Sequence, residues 1–351
     1  SARNIEIRAS ATLAMNKPET DALRRAVCAI YAQGAALDWA ARAPAGQQVQ
    51  LPTYPWQRQL LWREAQWQRD DRLNAQGWPL HADQGGIDLN LRRLNYLYDH
   101  IVDGSPIMPA AGFLEALCEE ARERWPHSTG LSVRDVDIQQ SLLLDHAREL
   151  RLHVQFDATR HRATLASHDI AEDAAPLVHA QATLHPLATP APTAIALLAT
   201  GDLQALEPAA FYAQLHGQSL QYGPAFQSIR RLHRDLEQGL AQAHLSLPVE
   251  LAADAPAYLL HPALLDGCFQ AALALMRPEE GVFLPVSLAA LHVYGPLPEA
   301  IDCRVQIVER DASRIVCDFQ LTDRHGAVLA HLQRLTCRSL QGRGKAQVFP
   351  A

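Results

Sequence analysis

His100 and Asp266 are the two residues of this chain best placed to move protons. His100 lies in the run Tyr98-Asp99-His100-Ile101-Val102-Asp103-Gly104-Ser105-Pro106-Ile107-Met108-Pro109, just ahead of a Gly/Pro-rich loop that feeds a helix start. A neutral imidazole can take up a proton near physiological pH. The free N–H groups of a helix N-terminus suit an oxyanion developing beside such a base. The amides near Ala110, Ala111 and Gly112 are the candidates here. The structural alternative is a histidine satisfied in a core.

Asp266 lies in His261-Pro262-Ala263-Leu264-Leu265-Asp266-Gly267-Cys268-Phe269-Gln270. Asp266 and Gln270 are four apart and share one helix face. Pro262 fits the first helical position, so Asp266 stands past the first turn and is not a routine N-cap. A carboxyl among apolar neighbours is raised by desolvation toward the neutral acid, which suits a proton donor. The alternative is a structural acid bonded to Gln270 or to a backbone amide. A third run, Gln221-Tyr222-Gly223-Pro224-Ala225-Phe226-Gln227, reads as a turn between apolar segments.

These residues need elements to hold them. Pro109 can occupy a first helical turn, and Phe113, Leu114, Leu117 and Ala121 recur at helical spacing up to Trp125. Residues 150–156, 161–167 and 177–185 read as strands. Residues 187–199 are Ala/Pro-rich and read as a linker. The plan then repeats: a short helix at 208–215, strands at 228–236 and 240–247, and a buried helix at 262–276. Strands at 289–294, 302–310, 314–322 and 328–340 follow, the last two joined through the turn cluster Asp323-Arg324-His325-Gly326. Each half offers one long apolar helix and several antiparallel strands, so the reading is two similar α+β units, each sheet wrapping one helix.

Residues 1–76 differ. One helix is expected at 21–33, with Leu23, Val27, Ile30 and Tyr31 at helical spacing. The Pro-rich strap Leu51-Pro52-Thr53-Tyr54-Pro55-Trp56-Gln57-Arg58 excludes helix there. Residues 62–73 are charged and read as exposed. Of the 351 residues 48% are hydrophobic and 20% charged, with a formal net charge of -7. No basic run points to nucleic acid, no apolar stretch is long enough to span a membrane, and the first residues lack a signal-peptide core. The six cysteines are scattered without metal-ligand spacing and read as reduced small hydrophobes.

Taken in order, the three runs resemble the dehydratase domains of modular polyketide synthases. His100, Gly104 and Pro109 match that family's HxxxGxxxxP motif; Tyr222, Gly223, Pro224 and Phe226 match YGPxF; Asp266 and Gln270 match DxxxQ. Leu284-Pro285 leading to Tyr294 resembles its LPxxxxxxxxY signature. Asp38-Trp39 followed by LPTYPWQRQLLW looks like the linker that follows an acyltransferase domain. Trp78-Pro79-Leu80 stands where the family often has His-Pro-Leu. The resemblance covers about residues 78–340.

The resemblance implies a double hot-dog fold divided as residues 77–187 and 205–340. A linker at 188–204, the post-acyltransferase region at 1–76 and a tail at 341–351 complete the division. It implies a site at the junction of the halves that eliminates water from a β-hydroxyacyl thioester on an acyl carrier protein. His100 would be the base and Asp266 the acid. Gln270 would orient Asp266, Tyr222 would shape the tunnel, and Gly112, Pro224 and Phe226 would support it. It further implies no metal, no organic cofactor, a homodimer within a cytoplasmic synthase, and neighbouring synthase domains as partners. Two other outcomes share these residues: a dehydrating cyclase that adds an oxa-Michael ring closure, and a degenerate scaffold. Intact His100, Asp266 and Gln270 argue against the scaffold. Double-bond-shifting relatives tend to lose the aspartate or the motif proline, and this chain keeps Asp266 and Pro109.

Overall fold

A computed structural model describes residues 18–39, 78–81, 86–89, 94–144, 150–170, 175–195, 203–277 and 281–339, together with positions 12, 41, 69, 73 and 197. The strap at 51–58 and the tail at 341–351 lie outside the described residues. The chain divides into two compact units, Ser1–Trp62 and Arg63–Ala351. The first contains α1 (Glu19–Ala32), matching the expected helix. Its buried residues are Ala22 and Ala26, whereas Leu23, Ile30 and Tyr31 are about half exposed.

In the second unit, the first half contains β1 (Ile87–Leu89), β2 (His100–Val102), β3 (Ser105–Pro106), α2 (Ala110–Arg124), β4 (Gly130–Ile138), β5 (Leu150–Asp157), β6 (Arg162–Asp169) and β7 (Leu177–Leu187). The second half begins with β8 (Gln204–Leu206), α3 (Pro208–Gly217), β9 (Leu220–Tyr222), β10 (Ile229–Asp235), β11 (Leu240–Ser246) and α4 (Val249–Ala252). It continues with α5 (Pro262–Leu273), β12 (Phe283–Val293), β13 (Ala300–Arg310), β14 (Arg314–Thr322) and β15 (Val328–Ser339). α2 and α5 are the central helices. Every residue from Ala111 to Ala121 and from Pro262 to Ala272 is buried, as a helix enclosed by its sheet requires.

The two sheets join edge to edge. β4 pairs with β12 from Leu131↔Val293 to Asp137↔Ser287, making one antiparallel sheet in the order β1-β5-β6-β7-β4-β12-β15-β14-β13-β11-β10-β8. A second sheet, β3-β2-β9, ties His100 of the first half to Tyr222 of the second.

β4 is the element that the sequence pattern hides. Leu131 and Val133 alternate in one phase, Val136 and Ile138 in the other. The phase changes at a bulge between Arg134 and Asp137, where Asp135 has φ 50°. One extra residue restores the inward phase but breaks the period-two signal. β12 likewise starts at Phe283, earlier than alternation suggests, because a bulge between Pro285 and Ser287 interrupts it. The exposed reading of residues 62–73 fails at the positions described: Leu73 is buried in the core, and Arg69 pairs with the buried Asp254 at 3.3 Å. Of the cysteines, Cys28 is exposed and the other five are buried, all as free thiols.

Candidate active site

The HxxxGxxxxP spacing has a local mechanical meaning. Asp103 and Gly104, at φ 50° and 80°, form the two-residue loop between β2 and β3, whose ends pair as Val102↔Ser105. Two successive positive φ values are what a tight hairpin of this twist demands, and Asp-Gly meets that demand. The hairpin folds the chain back on itself. Ile107 N–H then donates to the His100 carbonyl at 2.9 Å, and His100 Nδ1 donates to the Ile107 carbonyl at 2.9 Å. Pro109 follows as the N-cap of α2, one residue ahead of the first turn where the sequence suggested it. Gly104 is therefore exposed at the loop tip and shapes the backbone; it does not touch the pocket.

That bond fixes the histidine's tautomer. A carbonyl only accepts, so Nδ1 carries the proton and neutral His100 presents a bare Nε2. Nε2 faces Asp266 Oδ1 at 3.8 Å, with both side chains buried. His100 is 8% exposed and Asp266 5%, so both side chains are largely shielded from bulk water.

Asp266 is held from its other side. Gln270 Nε2 donates to Asp266 Oδ2 at 2.9 Å and to the Phe226 carbonyl at 3.0 Å. Gln270 Oε1 accepts from the Tyr212 hydroxyl at 3.0 Å, and that hydroxyl accepts from Ile229 N–H at 3.2 Å. The relay leaves Oδ1 as the free oxygen, turned toward His100. Burial pushes the Asp266 carboxyl above its ordinary value, outweighing the lowering by His100 and by the Gln270 bond. Gly267, beside Asp266, has little room for a Cβ, which would press on Ser228, just ahead of β10, and on Leu245 of β11.

The Tyr-Gly-Pro run is a bracket between the halves. Gly223 N–H donates to the Asp99 carbonyl at 2.7 Å, and Ala225 N–H to Asp99 Oδ2 at 2.8 Å. A Cβ on Gly223 would press on the Asp99 carboxyl, which is held by the Ala225 N–H bond. Pro224 starts a single 3-10 turn, and Phe226 within it is fully buried. The rings of Tyr222 and Phe226 flank His100, at 5.6 and 5.4 Å between centroids. Burial, and then the nearby Asp266, push the Tyr222 hydroxyl well above its ordinary pKa, so it stays protonated.

A pocket of about 800 Å³, its open mouth included, is lined by His100, Asp266 and Tyr222 together with residues of both halves. Its walls are apolar: Val102, Met108 and Phe113 from one half, Phe269, Leu284 and Leu335 from the other. At the start of α2, Ala110 lines the pocket and Gly112 does not. Gly112 N–H is taken by the Pro109 carbonyl at 2.9 Å, because the first turn tightens to i→i−3 bonding. Of the three candidate amides, Gly112's is therefore engaged, and Ala110 is the residue that lines the pocket.

Asp99 and Tyr212 were not singled out from the sequence. Asp99 adjoins His100 and is short enough to bond a neighbouring turn. Tyr212 sits on a short helix whose pattern carries no sign of what its hydroxyl meets.

Comparison with known proteins identifies the family and the fold. Residues 87–169 match the family model "Polyketide synthase dehydratase domain", and residues 190–347 match "Polyketide synthase dehydratase N-terminal domain". The chain belongs to the polyketide synthase dehydratase family, whose members are hydro-lyases. It is 30% identical to polyketide synthase GfsE of Streptomyces halstedii, over 88% of this chain and 9% of that one. It is 29% identical to polyketide synthase ThaG of Burkholderia thailandensis, over 79% and 5%. The dehydratase chain thus spans less than a tenth of these much longer relatives. Among solved structures, the dehydratase domain from the CurF module of curacin polyketide synthase aligns at TM-score 0.64 and 25% identity, covering 74% of this chain and 99% of that one. A variant of GphF dehydratase 1 aligns at TM-score 0.66 and 24% identity, over 76% and 98%. These are double hot-dog domains, the fold expected from the motifs. Among the described residues, no helix is long and apolar enough to cross a membrane.

Proposed function

We propose that this chain eliminates water from a β-hydroxyacyl thioester carried on the phosphopantetheine arm of an acyl carrier protein, giving the α,β-unsaturated thioester. The observation that carries the reading is the complementary pair in the pocket: a histidine whose tautomer leaves Nε2 bare, and a raised carboxyl whose one unengaged oxygen faces it. His100 Nε2 takes the α-proton. Asp266 Oδ1 gives its proton to the departing β-hydroxyl, which leaves as water. The electron pair of the broken C–H bond forms the double bond. The free N–H groups at the start of α2, where Ala110 lines the pocket, are the donors for the thioester oxygen as it gains charge. Acid–base chemistry alone balances the reaction, so the reading requires no metal and no organic cofactor.

The same reading makes residues 1–76 a post-acyltransferase linker region, 77–187 and 205–340 the two hot-dog halves, 188–204 their linker and 341–351 a tail. The partners are the carrier protein, neighbouring synthase domains and a second copy of this chain, in the cytoplasm. The deciding experiment offers a panel of 3-hydroxyacyl thioesters and follows mass and ultraviolet absorbance. Loss of one water with enoyl absorbance supports dehydration. Loss of one water without that absorbance replaces it with cyclisation, and no mass change overturns it in favour of a scaffold. A monomer by light scattering at micromolar concentration would remove the second copy.

A further inference from the structure

α2 buries three carboxyls that the elimination does not use, Glu115, Glu119 and Glu120. Glu120 is paired with Arg124 and His81, and Glu119 accepts from Leu80 N–H at 2.8 Å; these tie α2 to its own half. Glu115 reaches into the other half. Its Oε1 accepts from Leu259 N–H and its Oε2 from Leu260 N–H, both at 2.7 Å. Those two residues immediately precede His261, the N-cap of α5, and Asp266 follows on that helix.

α2 is thereby a common base plate for both catalytic groups. Its N-terminus receives the hairpin that holds His100, through the bond to Ile107 and the cap at Pro109. Its second turn, at Glu115, holds the segment that opens α5. We propose that Glu115 is a positioning residue for the elimination: it fixes the start of α5 against α2 and so sets Asp266 opposite His100. Glu115 does not line the pocket and has no part in holding substrate. A carboxyl group offers an acceptor at both oxygens. A glutamine of the same shape keeps one acceptor and sets N–H against N–H at the other. Burial pushes the Glu115 carboxyl up to about 7, opposed by the Leu259 and Leu260 bonds, so these two amides bear on its charge.

The inference rests on the dehydration reading, and the test separates the two. Glu115→Gln and Glu115→Asp are compared with wild type and with Leu187→Ala, a control at the far end of β7 beside Gly130. Thermal unfolding, kcat, KM and the pH profile of kcat are measured on a β-hydroxyacyl pantetheine thioester, with the carbon-13 titration of the Asp266 carboxyl read in parallel. The expected result is a folded Glu115→Gln with kcat down roughly ten- to a hundredfold and KM within about threefold. The Asp266 titration and the alkaline limb of the profile should shift together. Leu187→Ala should lose thermal stability and keep the wild-type profile. A folded Glu115→Gln with wild-type kcat, profile and titration overturns the inference. So does an equal kcat loss in Leu187→Ala, or failure of both Glu115 variants to fold, which would make the residue a folding requirement. If wild type itself forms no enoyl product, the function reading fails, and the Asp266 titration alone still decides the positioning role.

Discussion

Replacing Asp266 by Asn tests the acid directly, because the surrounding hydrogen bonds dictate how the amide will sit. Gln270 Nε2 donates to Oδ2 at 2.9 Å, and only an oxygen can accept there. The carbonyl of the introduced asparagine therefore keeps that place, and its NH2 takes the place of Oδ1, facing His100 Nε2. Shape, volume and the Gln270 bond survive; the transferable proton does not. Turnover should fall roughly a hundred- to ten-thousand-fold, the range for a lost general acid. In free energy that is about 2.7–5.4 kcal/mol of transition-state stabilisation. Stability should move the other way. Burial raises the Asp266 carboxyl from 3.8, so its contribution is complete below about that value and fades as pH rises through the folded value. Asn carries no such proton, so Asp266→Asn should gain thermal stability relative to wild type as pH rises from below 3.8 through the folded value. The assay is mass spectrometry of a carrier-bound or pantetheine β-hydroxyacyl thioester, alongside unfolding across that pH range. Combined with His100→Ala, the double variant should be little worse than the worse single variant, since groups acting as a unit are not additive. Near wild-type turnover in Asp266→Asn refutes the assignment of the acid. Unchanged turnover in His100→Ala refutes the site.

Three further outcomes are expected. Tyr212→Phe removes the hydroxyl between Ile229 N–H and Gln270 Oε1; it should cost about 1–3 kcal/mol in stability for the groups left unpaired and lower kcat more than it raises KM. Calorimetry and steady-state rates read both, and an unchanged kcat would mean that the relay does not orient Asp266. Gly267→Ala should destabilise by roughly 1–3 kcal/mol through overpacking against Ser228 and Leu245, seen as a lower denaturant midpoint; an unshifted midpoint would mean that these neighbours yield freely. A fragment starting at Arg63 should retain wild-type kcat, because every group placed in the site lies beyond it; a folded fragment without activity would put a catalytic contribution in the first 62 residues.

The local runs around His100, Tyr222 and Asp266 were legible because their residue types break the pattern of their surroundings. A carboxyl in the apolar run of α5 announces itself, and Gln270 follows from helical period alone. Both central helices and most outer strands show in their periods for the same reason. What stayed hidden depends on register. The strand joining the two sheets, β4, changes phase at Asp135, so neither half of it is long enough to read as a strand. Glu115 and Tyr212 meet partners 144 and 58 positions away, separations that no local pattern encodes. Glu115 nevertheless offered the same signal as Asp266, an acid set among Phe113, Leu114, Ala116 and Leu117.

The hydrogen bonds around the pair also explain how the site would reset. In the proposed elimination, the proton taken from carbon is left on His100 Nε2 and the Oδ1 of Asp266 is left bare. The substrate has lost one proton to the histidine and gained one from the aspartic acid, so only an internal transfer from Nε2 to Oδ1 is needed to restore both. At 3.8 Å that gap is too long for a direct hydrogen bond, and one water bridging the two atoms closes it. The reaction itself releases a water at this point. Nδ1 cannot serve instead, because the Ile107 carbonyl holds its proton, and Oδ2 is engaged by Gln270. Both outer bonds thus confine proton traffic to the inner faces of the two side chains. An elimination that begins with neutral histidine and neutral aspartic acid ends, once that proton crosses, with the same two neutral groups. The raised Asp266 carboxyl should therefore give the pH profile of kcat an alkaline limb, set by its ionisation. A profile lacking the alkaline limb would mean that the proton donor is a group other than the raised carboxyl.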